Sequence, residues 1–249
     1  MFSGLSNIVE IDFTNFDTSE VNRMKYFFEN CINLQKITFG NNFKTSLIDS
    51  MNYMFYNCYS LKSLDLSKFD TQQISQMQHT FDNCYSLVSL DISHFDTSLV
   101  TDMQYLFNNC YSLTSLDLSS FNTLQVTNMG NMFNNCTLLT SLNLRNFNTP
   151  LLTYMVKMFF QCSSLEFLDI SNFVTSSVTN FDRVFYDCES LQSLDLRNFN
   201  TELVTNMNSM FYGCKSLSFL DISSFRTSLN TNFIKMFKNC KSLTSLDIS

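Results

Sequence analysis

The sequence predicts an α/β solenoid, a right-handed coil with a parallel β-sheet along one face and short helices or helical turns along the other. Three observations carry this expectation. Cysteine falls at 31, 58, 84, 110, 136, 162, 188, 214 and 240, with a first gap of 27 residues and later gaps of 26, and a fixed period in this range is the sign of stacked repeats. Within each interval a segment such as Leu87-x-x-Leu90-x-Ile92 alternates at its end, as a strand with one buried face does. Further on, Val100, Met103 and Phe107 follow the i, i+3, i+7 spacing of a short helix.

The elements follow in order along one unit. After the strand comes Phe-[Asn/Asp]-Thr, as in Phe121-Asn122-Thr123, a turn whose Phe packs inward. That Phe recurs at 16, 43, 69, 95, 121, 147, 173, 199 and 225, and a second Phe column stands three residues before each Cys, so 19 of the 27 Phe belong to the repeat. The residue after each Val position is Asn22, Asp49, Ser75, Thr101, Thr127, Thr153, Thr179, Thr205 or Thr231, each able to accept from free N–H groups as a helix N-cap. The residue before Cys is mostly Asn or Gly, with Gln161 and Asp187 as exceptions, and Asn and Gly tolerate the left-handed conformation that ends a helix. The first copy carries Leu5 in place of Cys, and the one long gap puts its extra residue in the turn near Gly40-Asn41-Asn42. The whole chain, 1–249, reads as one domain of about nine and a half 26-residue units, a segment of a longer array. Equivalent strands stack at roughly 4.8 Å per coil.

Composition narrows the function. With 15 Lys+Arg against 22 Asp+Glu the net charge is −7, and an acidic balance disfavours nucleic acid, whose phosphates need clustered Lys and Arg. No apolar run approaches the roughly 20 residues of a membrane span. Met1-Phe2-Ser3-Gly4-Leu5 lacks the basic start and apolar stretch of a signal peptide. His79 and His94 do not repeat, and neither nucleotide-binding nor nucleophile–base signatures occur, so no catalytic residue and no cofactor is expected. Nine Cys without a C-x-x-C pair make no conventional zinc site and read as a column of buried thiols.

The unit Cys110-Tyr-Ser-Leu-Thr-Ser-Leu-Asp-Leu-Ser-Ser-Phe-Asn-Thr-Leu-Gln-Val-Thr-Asn-Met-Gly-Asn-Met-Phe133 resembles the 26-residue repeat of BspA-like leucine-rich repeat surface proteins. The most specific element is the ending Met54-Phe55-Tyr56-Asn57-Cys58. The resemblance covers essentially the whole chain. It implies a leucine-rich-repeat-like fold, a cell-surface or extracellular location, and adhesion or host-protein binding without catalysis. An intracellular leucine-rich repeat scaffold in the cytoplasm is the alternative, one that a free thiol column suits.

The open strand face holds the candidate binding residues. Asp stands between the two strand leucines at 12, 65, 91, 117, 169, 195, 221 and 247, with Thr38 and Asn143 as exceptions. This row reads either as a solvated face screened by neighbouring Ser, or as a docking face for a cationic partner or cations. Two unit charges about 5 Å apart repel by roughly 0.8 kcal/mol in water, so the row is a cost unless something offsets it. Phe167 and Phe219 replace the usual Ser two residues before Asp, and Arg145 and Arg197 replace the usual Ser two residues after it. Exposed aromatics with Arg are the composition of a protein-binding hot spot; variation in a tolerant surface column is the alternative. Asp169, Asp195 and Asp221 run alongside. Tyr59, Tyr85 and Tyr111 are expected to stack at the coil edge. The expected partner is a protein of unspecified identity, with end-to-end self-association a further possibility.

Overall fold

A computed structural model of the chain describes residues 1–229 and 232–247, Asp247 through its backbone alone. Seven short strands are present: β1 (Glu10–Phe13), β2 (Lys36–Phe39), β3 (Ser141–Asn143), β4 (Phe167–Asp169), β5 (Ser193–Leu194), β6 (Phe219–Asp221) and β7 (Ser245–Asp247). They pair in parallel as β1-β2, β3-β4 and β5-β6-β7. The register joins equivalent repeat positions, Ile11 to Ile37, Leu142 to Leu168 and Leu220 to both Leu194 and Leu246. In the intervening coils the segments around Leu64, Leu90 and Leu116 run in the equivalent place without strand pairing. Backbone bonds such as Val88 N–H to the Lys62 carbonyl (3.1 Å) still tie those coils together.

The opposite face corrects one expectation. No helix occurs among the described residues; the Met-Phe-x-x-Cys segment is instead a pair of tandem turns. Met54 N–H donates to the Met51 carbonyl and Cys58 N–H to the Phe55 carbonyl, closing turns whose third residues, Tyr53 (φ 58°) and Asn57 (φ 61°), are left-handed, as a type II turn requires. The same two positions are left-handed in every coil, from Tyr26 and Asn30 to Lys235 and Asn239. The N–H groups of Tyr53, Phe55 and Asn57 leave the coil for the carbonyls of Gln78, Thr80 and Asp82. A helix would direct those groups to residue i−4 within its own coil; here the next coil presents aligned acceptors and takes them.

The N-cap role is corrected with the helix. The hydroxyls of Ser75, Thr127, Thr153 and Thr205 donate backwards to the carbonyls of Asp49, Thr101, Thr127 and Thr179. The capping geometry sits one residue later, where Asp102, Asn128, Asn180 and Asn206 accept the N–H two residues on. Thr231 lies outside the described residues. The left-handed residue before Cys is where it was expected, although it closes a turn.

One continuous core runs from Ile11 to Met236. Its spine is the Phe column 28, 55, 81, 107, 133, 159, 185, 211, 237, whose successive rings lie 5.3–5.7 Å apart and within 13° of parallel, the offset stacking that the ring quadrupole favours. All nine cysteines are free thiols, eight of them fully buried. Each S–H also has an acceptor, the carbonyl of the column Phe one coil back, as Cys136 Sγ to Phe107 O (3.2 Å). The long coil holds its extra residue at the expected turn. There Phe43 N–H bonds to the Gly40 carbonyl, and a Cβ on Gly40 would sit 2.3 Å from the Thr14 carbonyl oxygen.

Candidate functional site

Strand alternation turns every second residue outward, so the face is written in three rows. The middle row is the Asp row, and local bonding explains why Asp belongs there. In each case Oδ1 accepts the backbone N–H two residues on, at Thr14, Ser67, Ser93, Ser119, Ser171, Arg197 and Ser223. Ser93, Ser171 and Ser223 add their hydroxyls at 2.7 Å. The carboxylate thereby ends the strand in an Asx turn. Hydrogen bonds from the residue two on hold Asp12, Asp65, Asp91, Asp117, Asp169 and Asp195 below the ordinary carboxyl range. Asn143 fills the same role, accepting from Arg145 N–H at 3.1 Å. Thus Ser does offset the carboxylates, and it is the Ser after Asp that does so. The Asp247 side chain lies outside the described residues.

The two arginines find partners on their own chain. Arg197 forks onto Asp195, Nε to Oδ1 at 3.0 Å and an Nη to Oδ2 at 2.6 Å. Arg145 Nε lies 3.5 Å from Asp169 Oδ2. Both side chains stay 73% exposed, so these pairs add little stability; they do neutralise two of the three carboxylates beside the aromatics. No cation among the described residues reaches ion-pair distance of Asp221.

Phe167 and Phe219 are each 55% exposed, the largest apolar side chains on this face. Ser193 of β5 lies opposite Phe219 of β6, and Phe167 occupies the same row in β4 one coil earlier. Phe167 and Phe219 therefore share one row two coils apart, with the small Ser193 at the same position in the coil between them. A depression of about 320 Å³ opens beside Phe219, lined by Ser193, Leu194, Asp195, Arg197, Phe219 and Asp221. A second one of about 620 Å³ lies along the same face over Ser89, Asp91, Ser115, Asp117, Ser141 and Asn143 and carries no aromatic. The structure thus brings Phe219, Arg197, Asp195 and Asp221 around one hollow; Phe167, Arg145 and Asp169 are not among its lining residues.

The turn face carries ladders beyond the expected Tyr column. Tyr59 and Tyr85 do stack, at 4.6 Å, and Tyr111 continues the column tilted by 43° at 5.1 Å. Beside them Tyr26, Tyr53, His79 and Tyr105 form a second stack at 5.0, 4.4 and 4.5 Å. His79 is held there by the buried Asp82, 2.7 Å from its Nδ1. The left-handed Asn30, Asn57, Asn83, Asn109 and Asn135 link Nδ2 to Oδ1 from coil to coil at 2.6–2.7 Å. The Thr of the Phe-x-Thr turn is buried and clamps the next coil: Thr97 Oγ1 donates to the Asn122 carbonyl (2.9 Å) and accepts Asn122 N–H (2.8 Å). Their signal in the sequence is column identity alone, Asn before Cys and Thr thirteen residues after it.

No group of three or more His, Cys, Asp or Glu side chains among the described residues could hold a metal ion. No helix among them is long and apolar enough to cross a membrane.

A family model described as "Mycoplasma protein of unknown function, DUF285" matches residues 1–90, 62–166 and 153–249. Among solved structures, a leucine-rich repeat protein from Eubacterium ventriosum is 14% identical over 99% of this chain and 74% of its own, with a TM-score of 0.46. A leucine-rich cell surface protein from Faecalibacterium prausnitzii is 16% identical over 96% and 83%, with a TM-score of 0.38. A leucine-rich repeat protein from Bacteroides ovatus is 19% identical over 98% and 80%, with a TM-score of 0.31. None of the curated proteins matches the chain.

Proposed function

The chain belongs to the DUF285 family, and from that premise we propose that it is a non-enzymatic protein-binding repeat module which engages its partner through the open strand face. The observation that carries this reading is the exposure of Phe167 and Phe219 in a row otherwise filled mostly by Ser. Core positions are fixed by packing, so specificity falls to outward positions held rigid by their neighbours, where binding orders little. The finer reading is adhesion or host interaction at a cell surface, in keeping with the resemblance of the repeat to BspA-like surface proteins. The nine unpaired thiols favour a second reading, a cytoplasmic scaffold, because disulfides are rare in reducing compartments.

The test is capture of a partner by the intact chain, followed by Phe167→Ser with Phe219→Ser, which restores the commonest residue of the row. Affinity should fall at least fivefold with the circular dichroism spectrum unchanged, and the interaction should weaken with salt. Unchanged affinity would move the site to the Tyr59-Tyr85-Tyr111 edge. Protease shaving of intact source cells decides between the two locations: loss of the protein supports the surface, full protection the scaffold.

A further inference from the structure

We infer that the turn edge following the strands is a self-association surface, and that its occupant is a second copy of this chain lying antiparallel. Two residues past the Thr of each Phe-x-Thr turn, one row is exposed in every coil. It carries leucine in alternate coils, at Leu47, Leu99, Leu151 and Leu203, each 46–52% exposed, with Gln73, Gln125 and Ser177 between them. Leu229 follows in the next coil. The Thr clamps tie these coils in sequence, as Thr45 Oγ1 to the Asp70 carbonyl and Thr149 Oγ1 to the Val174 carbonyl. The four leucines therefore share one edge at intervals of two coils, about 9.6 Å.

A lone exposed Leu needs no explanation; a row with a fixed interval is matched by a partner with the same interval. A helix repeats one face every seven residues, about 10.5 Å, and slips by about 2.7 Å over the three intervals from Leu47 to Leu203. A single extended strand repeats a face about every 6.8 Å. A second copy of this chain repeats it at the same spacing.

Charge selects the direction and the register. Counting coils by their turn Phe, from Phe16 to Phe225, the exposed charges beside the row are Asp17 and Glu20 in the first, Lys44 in the second, Asp70 in the third and Asp96 in the fourth. Coils five to seven carry none, the eighth carries Glu202 and the ninth Arg226. None of these makes an ion pair with a described residue of its own chain. A parallel copy in register sets every one against itself. An antiparallel copy turned about the fifth coil sets Lys44 against Glu202, and Asp17 and Glu20 against Arg226. It puts Asp70 and Asp96 opposite uncharged coils, and Leu47 and Leu99 opposite Leu203 and Leu151. A slip of one coil brings Glu202 against Asp70 or against Glu20 and sets Leu99 opposite Ser177 or Gln125. In a two-fold pair each contact is made twice. Nine coils span about 38 Å, so a strip about 12 Å wide buries roughly 900 Å² in all, short of the about 1,200–2,000 Å² of a stable complex. The pair is accordingly a reversible one. The hollow beside Phe219 shares no residue with this edge, and the pairing stands independently of strand-face docking.

Sedimentation equilibrium of the full chain should show a monomer–dimer equilibrium with a Kd near about 100 µM. Leu99→Glu with Leu151→Glu should weaken it at least tenfold with the circular dichroism spectrum unchanged. Lys44→Glu and Glu202→Lys should each weaken it at least threefold, and the two together should restore it to within twofold, a recovery that damage to the fold does not produce. Phe167→Ser with Phe219→Ser should leave it unchanged. A chain still monomeric at about 1 mM, a dimer indifferent to the Leu pair, charge reversals that add where they should cancel, or a dimer lost with the Phe pair overturns the inference.

Discussion

Burial decides the chemistry of the nine thiols. Desolvation pushes Cys162 up to about 12, opposed only by a backbone hydrogen bond from the neighbouring coil, and every other column thiol is also raised, with desolvation the largest cause. The thiolate is the reacting species, so native protein at pH 8 should label slowly with a thiol reagent and completely once denatured. Cys31 and Cys240, in the outermost coils, should react first. Rapid labelling of the interior seven in native protein would refute the burial argument. Cys136→Ser retains an acceptor, the Phe107 carbonyl, so its cost should be about 1–2 kcal/mol, the part that desolvation of a hydroxyl leaves after one hydrogen bond. Gly40→Ala should cost more, since its Cβ meets backbone in place of a movable side chain. Urea midpoints of the two variants at equal m-value provide the comparison.

At the scale of the element, the inward-facing strand position was legible, and the expected helix is instead a pair of tandem turns among the described residues. Alternation in Leu87-x-x-Leu90-x-Ile92 does mark the inward side, with Leu87, Leu90 and Ile92 all buried, but strand pairing forms only in other coils, as from Leu142 to Leu168. The buried set Met51, Met54, Phe55 and Cys58 falls at i, i+3, i+4, i+7, and tandem turns return a side chain to the core at the same intervals as a helix. Periodicity therefore could not separate them; the alternating left-handed residues could have, but Tyr53, Lys157 and Arg183 are not types that announce a positive φ. In the site, Phe167 and Phe219 were legible as departures from a Ser column. The capture of Arg197 by Asp195 was not, because it depends on how a flexible side chain folds back over two residues. The Thr clamp gives an element-scale prediction. Thr97→Val removes a hydroxyl that both donates to and accepts from Asn122, so it should cost about 1–3 kcal/mol despite its matching shape, while Thr97→Ser should cost under about 1 kcal/mol. Thermal unfolding of the two variants measures the difference.

Over the whole molecule, the Asp row sets the response to acid. The hydrogen bonds that lower these carboxyls are made in the folded chain, so between the lowered and ordinary values the unfolded chain binds more protons. Their stabilisation is present above about pH 4 and is lost as pH falls through the lowered values. Unfolding midpoints should therefore drop below about pH 4, whereas Ser93→Ala and Ser171→Ala, which remove a hydroxyl donor each, should flatten that drop. Coils touch only their neighbours, so excision of one whole period, residues 84–109, should leave a cooperatively folding chain, while excision of 84–96 should not. Far-ultraviolet circular dichroism with a urea melt tests both deletions.

The turn ladder, in which the N–H groups of Tyr53, Phe55 and Asn57 all reach forward to the following coil, has a mechanical consequence. Tension applied along the stack parts the junctions between neighbouring coils, because each coil is bonded only to the coils beside it. A released coil lengthens from roughly 5 Å of stack to about 90 Å of extended chain, at about 3.4 Å per residue over its 26 residues. Pulling a single molecule should thus give a staircase of steps about 85 Å long, one for each coil released. Such a molecule is a short rod at rest and a long tether under load, yielding one coil at a time.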